Sequence, residues 1–321
     1  MATNKEILYI DELKVFYETK RGSVKAVDGV SFNIYSREAF GLAGESGCGK
    51  STTAYAIMRL VPPPGRIVSG HIYWMGKDIL NFDDEELRRY RWKEVSMVFQ
   101  SAMNALNPVM TIGNQIAEAI LNHENVSKDE AFKRAEELLE LVGISKDRVN
   151  DYPHEFSGGM RQRAVIAMAL ACNPKLVIAD EPVTALDVIV QAQILDVLRN
   201  LKNKLNLSIL LITHDLSVIA DICDRAAIMY AGKIVELGSV YDIFNNPLHP
   251  YTQLLTKSFP RLKGERRGIE YIPGAPPNLI NPPKGCRFHP RCPYVKDVCR
   301  EREPKYIEVD GGHYVACHLV K

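Results

Sequence analysis

The run Gly44-Glu45-Ser46-Gly47-Cys48-Gly49-Lys50-Ser51 fits the pattern G-x-x-x-x-G-K-[ST], and it constrains the fold more than any other feature of the chain. Ala39–Ala43 before it reads as a short buried strand, and Thr52–Leu60 after it reads as a helix that Pro62–Pro64 stops. A Gly-rich turn between a strand and a helix lets successive backbone N–H groups point inward at phosphate oxygens, because glycine reaches φ > 0 at no steric cost. Lys50 brings a point charge to the β- and γ-phosphates, and the Ser51 hydroxyl can ligate Mg²⁺. The helix that starts at Lys50 adds its positive dipole end. Cys48 reads as a small residue inside the loop. The sequence therefore implies a site for a nucleotide with Mg²⁺.

The flanking pattern gives the class. Ile7–Val15, Val30–Ile34, Glu94–Phe99, Leu176–Ala179 and Ser208–Ile212 read as strands, and Ile189–Leu205 reads as a helix. Between Gln100 and Ala171 the texture is helical. Ser127 with Glu130 makes a capping box there, and Ala131, Ala135, Leu138, Leu139 and Val142 follow at helical spacing. This alternation implies an α/β protein with a largely parallel sheet covered by helices, and a helical subdomain at about 101–170. Prolines crowd the chain after Pro247, too densely for long helices. That shift places a boundary near residue 245, between a core of 1–245 and an irregular extension of 246–321. No internal repeat is visible. The formal net charge is only +1, so bulk charge gives no footprint for nucleic acid. No apolar run approaches the ~20 residues of a membrane helix, and the N-terminus lacks the layout of a signal peptide. The expectation is a cytosolic chain.

Leu176–Ala179 ends in two carboxylates, Asp180 and Glu181. A strand tip holds such groups rigidly, so Asp180 can bind the Mg²⁺ shell and Glu181 can orient or deprotonate an attacking water. Phe156-Ser157-Gly158-Gly159-Met160-Arg-Gln-Arg163 precedes the helix leading into that strand. A hydroxyl and glycine backbone at a helix N-terminus form a second anion-binding device. Gln100 closes a strand, Thr184-Ala-Leu-Asp187 follows the carboxylates, and His214 ends another strand.

These motifs, in this order, resemble those of the ABC-transporter ATPase family over roughly residues 5–245. The resemblance implies roles for them. Tyr17 stands where an aromatic stacks on adenine. Gly44, Glu45, Ser46, Gly47, Cys48, Gly49, Lys50, Ser51 and Thr52 form the Walker A loop. Gln100 touches Mg²⁺ and the water and senses the membrane subunit, and Asp180 and Glu181 form the Walker B pair. Ser157, Gly158 and Gly159 are the signature, which binds the γ-phosphate of ATP held by the opposite subunit. Asp187 is the D-loop aspartate, and His214 is the switch histidine. Phe156 and Met160 depart from the usual L-S-G-G-Q. One nucleotide loop and one signature per chain imply a dimer, with an identical or a sister ATP-binding subunit. The resemblance also implies two transmembrane permease subunits and a place at the cytoplasmic face of the membrane. Ser101–Ile120, with Asn104-Ala-Leu-Asn107-Pro108, is similar to the segment that docks the permease.

The tail carries Tyr271-Ile-Pro-Gly-Ala-Pro-Pro277 and Gly285-Cys286-Arg-Phe-His-Pro-Arg-Cys292-Pro-Tyr294, then Cys299 and Val315-Ala-Cys317-His318. It is similar to the C-terminal extension of the oligopeptide and dipeptide importer ATPases. That likeness implies peptide import, served indirectly by an extracytoplasmic peptide-binding protein. Nickel uptake is the alternative within the same subfamily. A soluble ABC ATPase outside transport is disfavoured: the interval between Lys50 and Gln162 is too short for a long coiled coil, and the chain has a single cassette. Four thiols spaced C-x5-C-x6-C-x17-C in a Pro-rich segment favour metal over disulfides in a reducing compartment. Zinc usually uses tight C-x2-C pairs, which are absent, although His289 or His318 could assist. Cys292-Pro293 echoes the Cys-Pro of ferredoxins. The related importer tails imply a [4Fe–4S] cluster on Cys286, Cys292, Cys299 and Cys317. Zinc and unligated thiols remain the alternatives.

Overall fold

The computed structural model describes residues 5–100, 105–184, 186–258 and 272–320. Ser101–Asn104 of the expected permease-docking segment, Ala185 beside the D-loop, and Pro260 and Tyr271 of the tail lie outside the described residues. Twelve strands are present among the described residues: β1 (Glu6–Thr19), β2 (Gly22–Tyr35), β3 (Ala39–Ala43), β4 (Gly65–Trp74), β5 (Lys77–Asp78), β6 (Val95–Val98), β7 (Leu176–Asp180), β8 (Ser208–Thr213), β9 (Arg225–Tyr230), β10 (Lys233–Ser239), β11 (Ile307–Asp310) and β12 (His313–Val315). The chain divides into two compact units.

The first unit spans Glu6–Ile34, Phe40–Leu80 and residues from Ile212 onward. It holds an antiparallel sheet in the order β2-β1-β4-β5 and strands in the order β11-β12-β10-β9-β3. β3 and β9 run parallel, with Phe40 opposite Arg225 and Ala43 opposite Ile228. β3 is buried along its whole length, which is why its five residues are all small or apolar. Phe32 stacks on Phe40 at 5.0 Å between ring centroids. The turns joining β4 to β5 and β9 to β10 are Met75-Gly76 and Ala231-Gly232. Both central residues have positive φ in each, at 48° and 83°, then 49° and 85°. Two-residue hairpins demand that geometry, because it matches the twist of the strands.

The tail belongs to this first unit. β12 pairs with β10, Glu236 opposite Val315, and β11 pairs with β12. Glu236 is fully buried. Its carboxylate accepts from His313 Nε2 and from the backbone N–H groups of Leu248 and His249, at 2.8, 2.8 and 2.9 Å. That satisfies a carboxylate which would otherwise be costly to bury. The hydrogen bond to Glu236 also raises the pKa of His313 above the ordinary histidine value.

The second unit comprises Lys5, Tyr35–Ala39 and Asn81–Leu211. Its strands run in the order β8-β7-β6, and β6 lies parallel to β7. The expected helical subdomain is present as helices Ile112–His123, Lys128–Leu141 and Gly158–Ala169. Ser127 caps the second by accepting from the Glu130 N–H, and Ala131, Ala135 and Leu139 form its buried stripe. Arg134 ties this helix to Glu124 and to the Ala171 carbonyl. A further capping box, unread in the sequence, joins Asp83 and Glu86.

The expectation of a largely parallel sheet needs correction. β6 with β7 and β3 with β9 are parallel, but β10, β11 and β12 add antiparallel strands, and β1, β2, β4 and β5 hold a separate sheet. β1 and β2 also run longer than the segments read from sequence, to 14 residues each.

Candidate functional site

In the first unit the nucleotide loop leaves the buried strand β3 and enters helix Lys50–Ile57. Gly44 and Gly49 have φ of 150° and 108°. A Cβ on Gly44 would sit 2.0 Å from the Met229 carbonyl oxygen, and one on Gly49 2.1 Å from that of Ala26. Both obstacles are backbone, so neither position admits a side chain. Lys50 is 5% exposed, and its Nζ donates to the carbonyls of Gly44 and Glu45 at 2.8 and 3.1 Å. The ammonium is thus folded over the loop at the helix N-terminus. Burial pushes the Cys48 thiol up, with Lys50 opposing. A neutral small side chain fits that setting. Ser46 and Gly47 are exposed at the tip, and Ser51 and Thr52 are half-buried. Tyr17 sits opposite Gly65 across β1 and β4, its ring against the glycine, and His214 follows β8 exposed.

The second unit carries the carboxylates. Asp180 ends β7 fully buried. Glu181 follows with φ of 48°, a left-handed backbone uncommon for a residue with a side chain. Its Oε2 accepts from Gln100 Nε2 at 3.1 Å and from Thr184 Oγ1 at 2.9 Å. Gln100 and Glu181, read separately in the sequence, are therefore brought together, and Thr184 is an added partner that its motif did not reveal. Asp187 caps helix Val188–Leu205 by accepting from the Val190 N–H at 2.9 Å. Ser157 caps helix Gly158–Ala169 in the same way from Met160. Gly159 packs against Val190, where a Cβ would lie 2.6 Å from Cγ1. Ser157 is exposed ahead of the helix, a geometry that suits an anion.

Cys286, Cys292, Cys299 and Cys317 line one small cavity, together with His249 and Phe288. Burial pushes the Cys286 thiol up to about 12 and raises those of Cys292 and Cys317. Such thiols stay protonated unless a cation offsets the thiolate charge. Among the described residues, no three His, Cys, Asp or Glu side chains are gathered to hold a metal ion. His249 is 1% exposed and accepts the Tyr251 N–H at Nδ1, so its proton is on Nε2, which has no hydrogen-bond partner. His249 was not singled out in the sequence. Its signal there is only a His-Pro pair opening a helix.

Comparison with known proteins agrees with the motifs. Residues 27–184 match the ABC transporter family, and residues 235–299 match the oligopeptide/dipeptide transporter C-terminal region. The oligopeptide transport ATP-binding protein OppD of Bacillus subtilis is 50% identical, over 98% of this chain and 89% of its own length. OppD of Escherichia coli is 47% identical over 97% of this chain and 92% of its own. Among solved structures, the ATP-binding cassette MJ0796, a dimer in a post-hydrolysis state bound to ADP and Pi, superposes with a TM-score of 0.65. It is 28% identical and covers 73% of this chain and 99% of its own. No described helix is long and apolar enough to cross a membrane. The chain belongs to the ATP-binding subunits of the ABC transporter family, in its oligopeptide and dipeptide branch.

Proposed function

We propose that this chain hydrolyses ATP to power the uptake of dipeptides or oligopeptides through a membrane transporter. The reading is carried by full-length similarity to peptide-transport ATP-binding proteins that includes the cysteine-rich tail. Lys50 and the backbone of Gly44–Thr52 bind the phosphates, and Tyr17 stacks on adenine. Ser51, Gln100 and Asp180 would hold Mg²⁺, whose positive charge would offset the negative charge of the phosphates. Glu181 takes the proton of the attacking water, with His214 at the γ-phosphate. Ser157, Gly158, Gly159 and Asp187 act on the ATP of a second ATP-binding subunit. Two permease subunits receive the motion at the cytoplasmic face. Val109, 79% exposed beside Asn107-Pro108, supplies an apolar contact for them. Vesicles holding the chain with its permeases and a peptide-binding protein should take up peptide only with ATP inside the cytoplasmic compartment. Uptake of Ni²⁺ and not of peptide would overturn the substrate class.

We further propose that Cys286, Cys292, Cys299 and Cys317, which line one cavity, take up a [4Fe–4S] cluster. Four thiols around one cavity are the donor set such a cluster takes. The buried Nε2–H of His249 is a donor in want of an acceptor, and sulfide or thiolate provides one. When bound, the cluster cross-links chain segments that have little apolar core of their own. Protein purified without oxygen should be brown, with broad absorption near ~400 nm and about four irons and four sulfides per chain. Cys286→Ser should bleach it. Colourless protein with one tightly held zinc per chain would replace the cluster with zinc.

A further inference from the structure

The loop from Cys286 to Cys292 touches the nucleotide loop directly. Arg291, only 8% exposed, makes a two-pronged ion pair with the Glu45 carboxylate, Nη1 at 2.7 Å and Nη2 at 3.0 Å. Its Nε donates to the Pro273 carbonyl at 2.7 Å, and its guanidinium lies over the Tyr230 ring. The other polar ends of Glu45 are engaged too. Its N–H donates to the Tyr251 hydroxyl at 3.0 Å, and its carbonyl accepts from Lys50 Nζ at 3.1 Å. Tyr251 and Tyr230 pack against Phe288 of the same cysteine loop, with ring centroids 5.3 and 5.2 Å away. Arg287 forms a second anchor, donating to Asp28 and to the Ala231 carbonyl. The next residue, Gly232, donates its N–H to the Cys48 carbonyl at 2.9 Å.

A carboxylate in a loop that binds polyphosphate is electrostatically adverse unless a cation neutralises it. We propose that Arg291 is a positioning residue for the nucleotide loop: it neutralises and anchors Glu45, so that ATP affinity depends on the folded state of the cysteine-rich tail. Arg291 precedes Cys292 directly, so whatever orders the cysteines also sets the guanidinium. The inference rests on Gly44–Thr52 being the ATP phosphate site. Lys50→Ala tests that assignment separately, since MgATP binding that survives it would fault the site and not the coupling.

The test uses full-length protein and MgATP, with Kd from calorimetry and KM and kcat from hydrolysis. Arg291→Met should raise Kd and KM about tenfold, the size expected of one uncompensated charge in a partly desolvated loop, with kcat within about twofold. Glu45→Gln added to Arg291→Met removes that charge and should restore affinity at least about threefold. Affinity lost by any route other than the bare Glu45 charge would not be rescued this way. An unchanged Kd in Arg291→Met, or no rescue in the double variant, overturns the proposal. If Arg291→Met does not fold, Cys286→Ser with and without Glu45→Gln carries the same comparison. It should weaken MgATP alone and recover at least about threefold with Glu45→Gln, and an unchanged Kd in Cys286→Ser overturns the coupling.

Discussion

Glu181→Gln should lower kcat for ATP hydrolysis by on the order of a hundredfold or more while MgATP still binds, because it removes the base and little else. The shape argument is local. Gln100 and Thr184 both donate to a single oxygen, Oε2. The amide oxygen of glutamine can accept both bonds, so the new side chain keeps its place. Its NH₂ then stands where the second carboxylate oxygen would take a proton, and an amide is no base. Binding and closure continue without turnover, so the variant should accumulate as an ATP-bound dimer. Single-turnover hydrolysis and size-exclusion chromatography in MgATP check this together. Turnover within about threefold of the unsubstituted protein would remove Glu181 from the reaction. Thr184→Ala should be milder, since it removes one of two bonds that hold the carboxylate.

The parts of this protein legible in the sequence are those where one residue type answers a steric or chemical demand. Gly44 and Gly49 are such positions, because backbone carbonyls fill the space a Cβ would need. Buried strands β3 and β7 were legible because central strands read as unbroken apolar runs. The hairpin β9–β10 was missed, although Ala231-Gly232 between apolar runs is a turn signal of the right length. Lys233 and Glu236 broke the apparent pattern. Glu236 is buried and satisfied from the tail, by His313 and two backbone donors, so its polarity misleads when only neighbours in sequence are weighed. The same holds at the site. Glu45 was legible only as a position of the Walker A loop, because its partner Arg291 is 246 positions away. Long-range ion pairs leave no local periodicity to read. The four cysteines were legible as a group through spacing and compartment, yet that all four line one cavity, beside an unpartnered histidine nitrogen, is information only the fold holds.

Lys50→Ala should weaken MgATP binding about ten- to a hundredfold, the range for losing a hydrogen bond to a charged group. The ammonium is almost wholly buried and now donates to the Gly44 and Glu45 carbonyls, so it is already organised at the loop before ATP arrives. Alanine leaves those carbonyls without that donor and the phosphates without its charge. The loss should be seen in Kd and in hydrolysis alike. Ser157→Ala should leave Kd for a lone chain nearly intact, because the signature serves the ATP of the partner. A mixture of the two inactive variants then discriminates between arrangements. If each site combines Lys50 of one chain with Ser157 of the other, a heterodimer contains one intact pair and one doubly broken pair. Hydrolysis in an equal, freely exchanging mixture should return to up to about a quarter of the unsubstituted rate, since about half the dimers are mixed and each has one of two sites intact, when neither variant alone turns over. Cysteines placed beside Ser51 and Ser157 give a second readout, since MgATP should link them between two chains. A cross-link that forms only within one chain would refute the shared site.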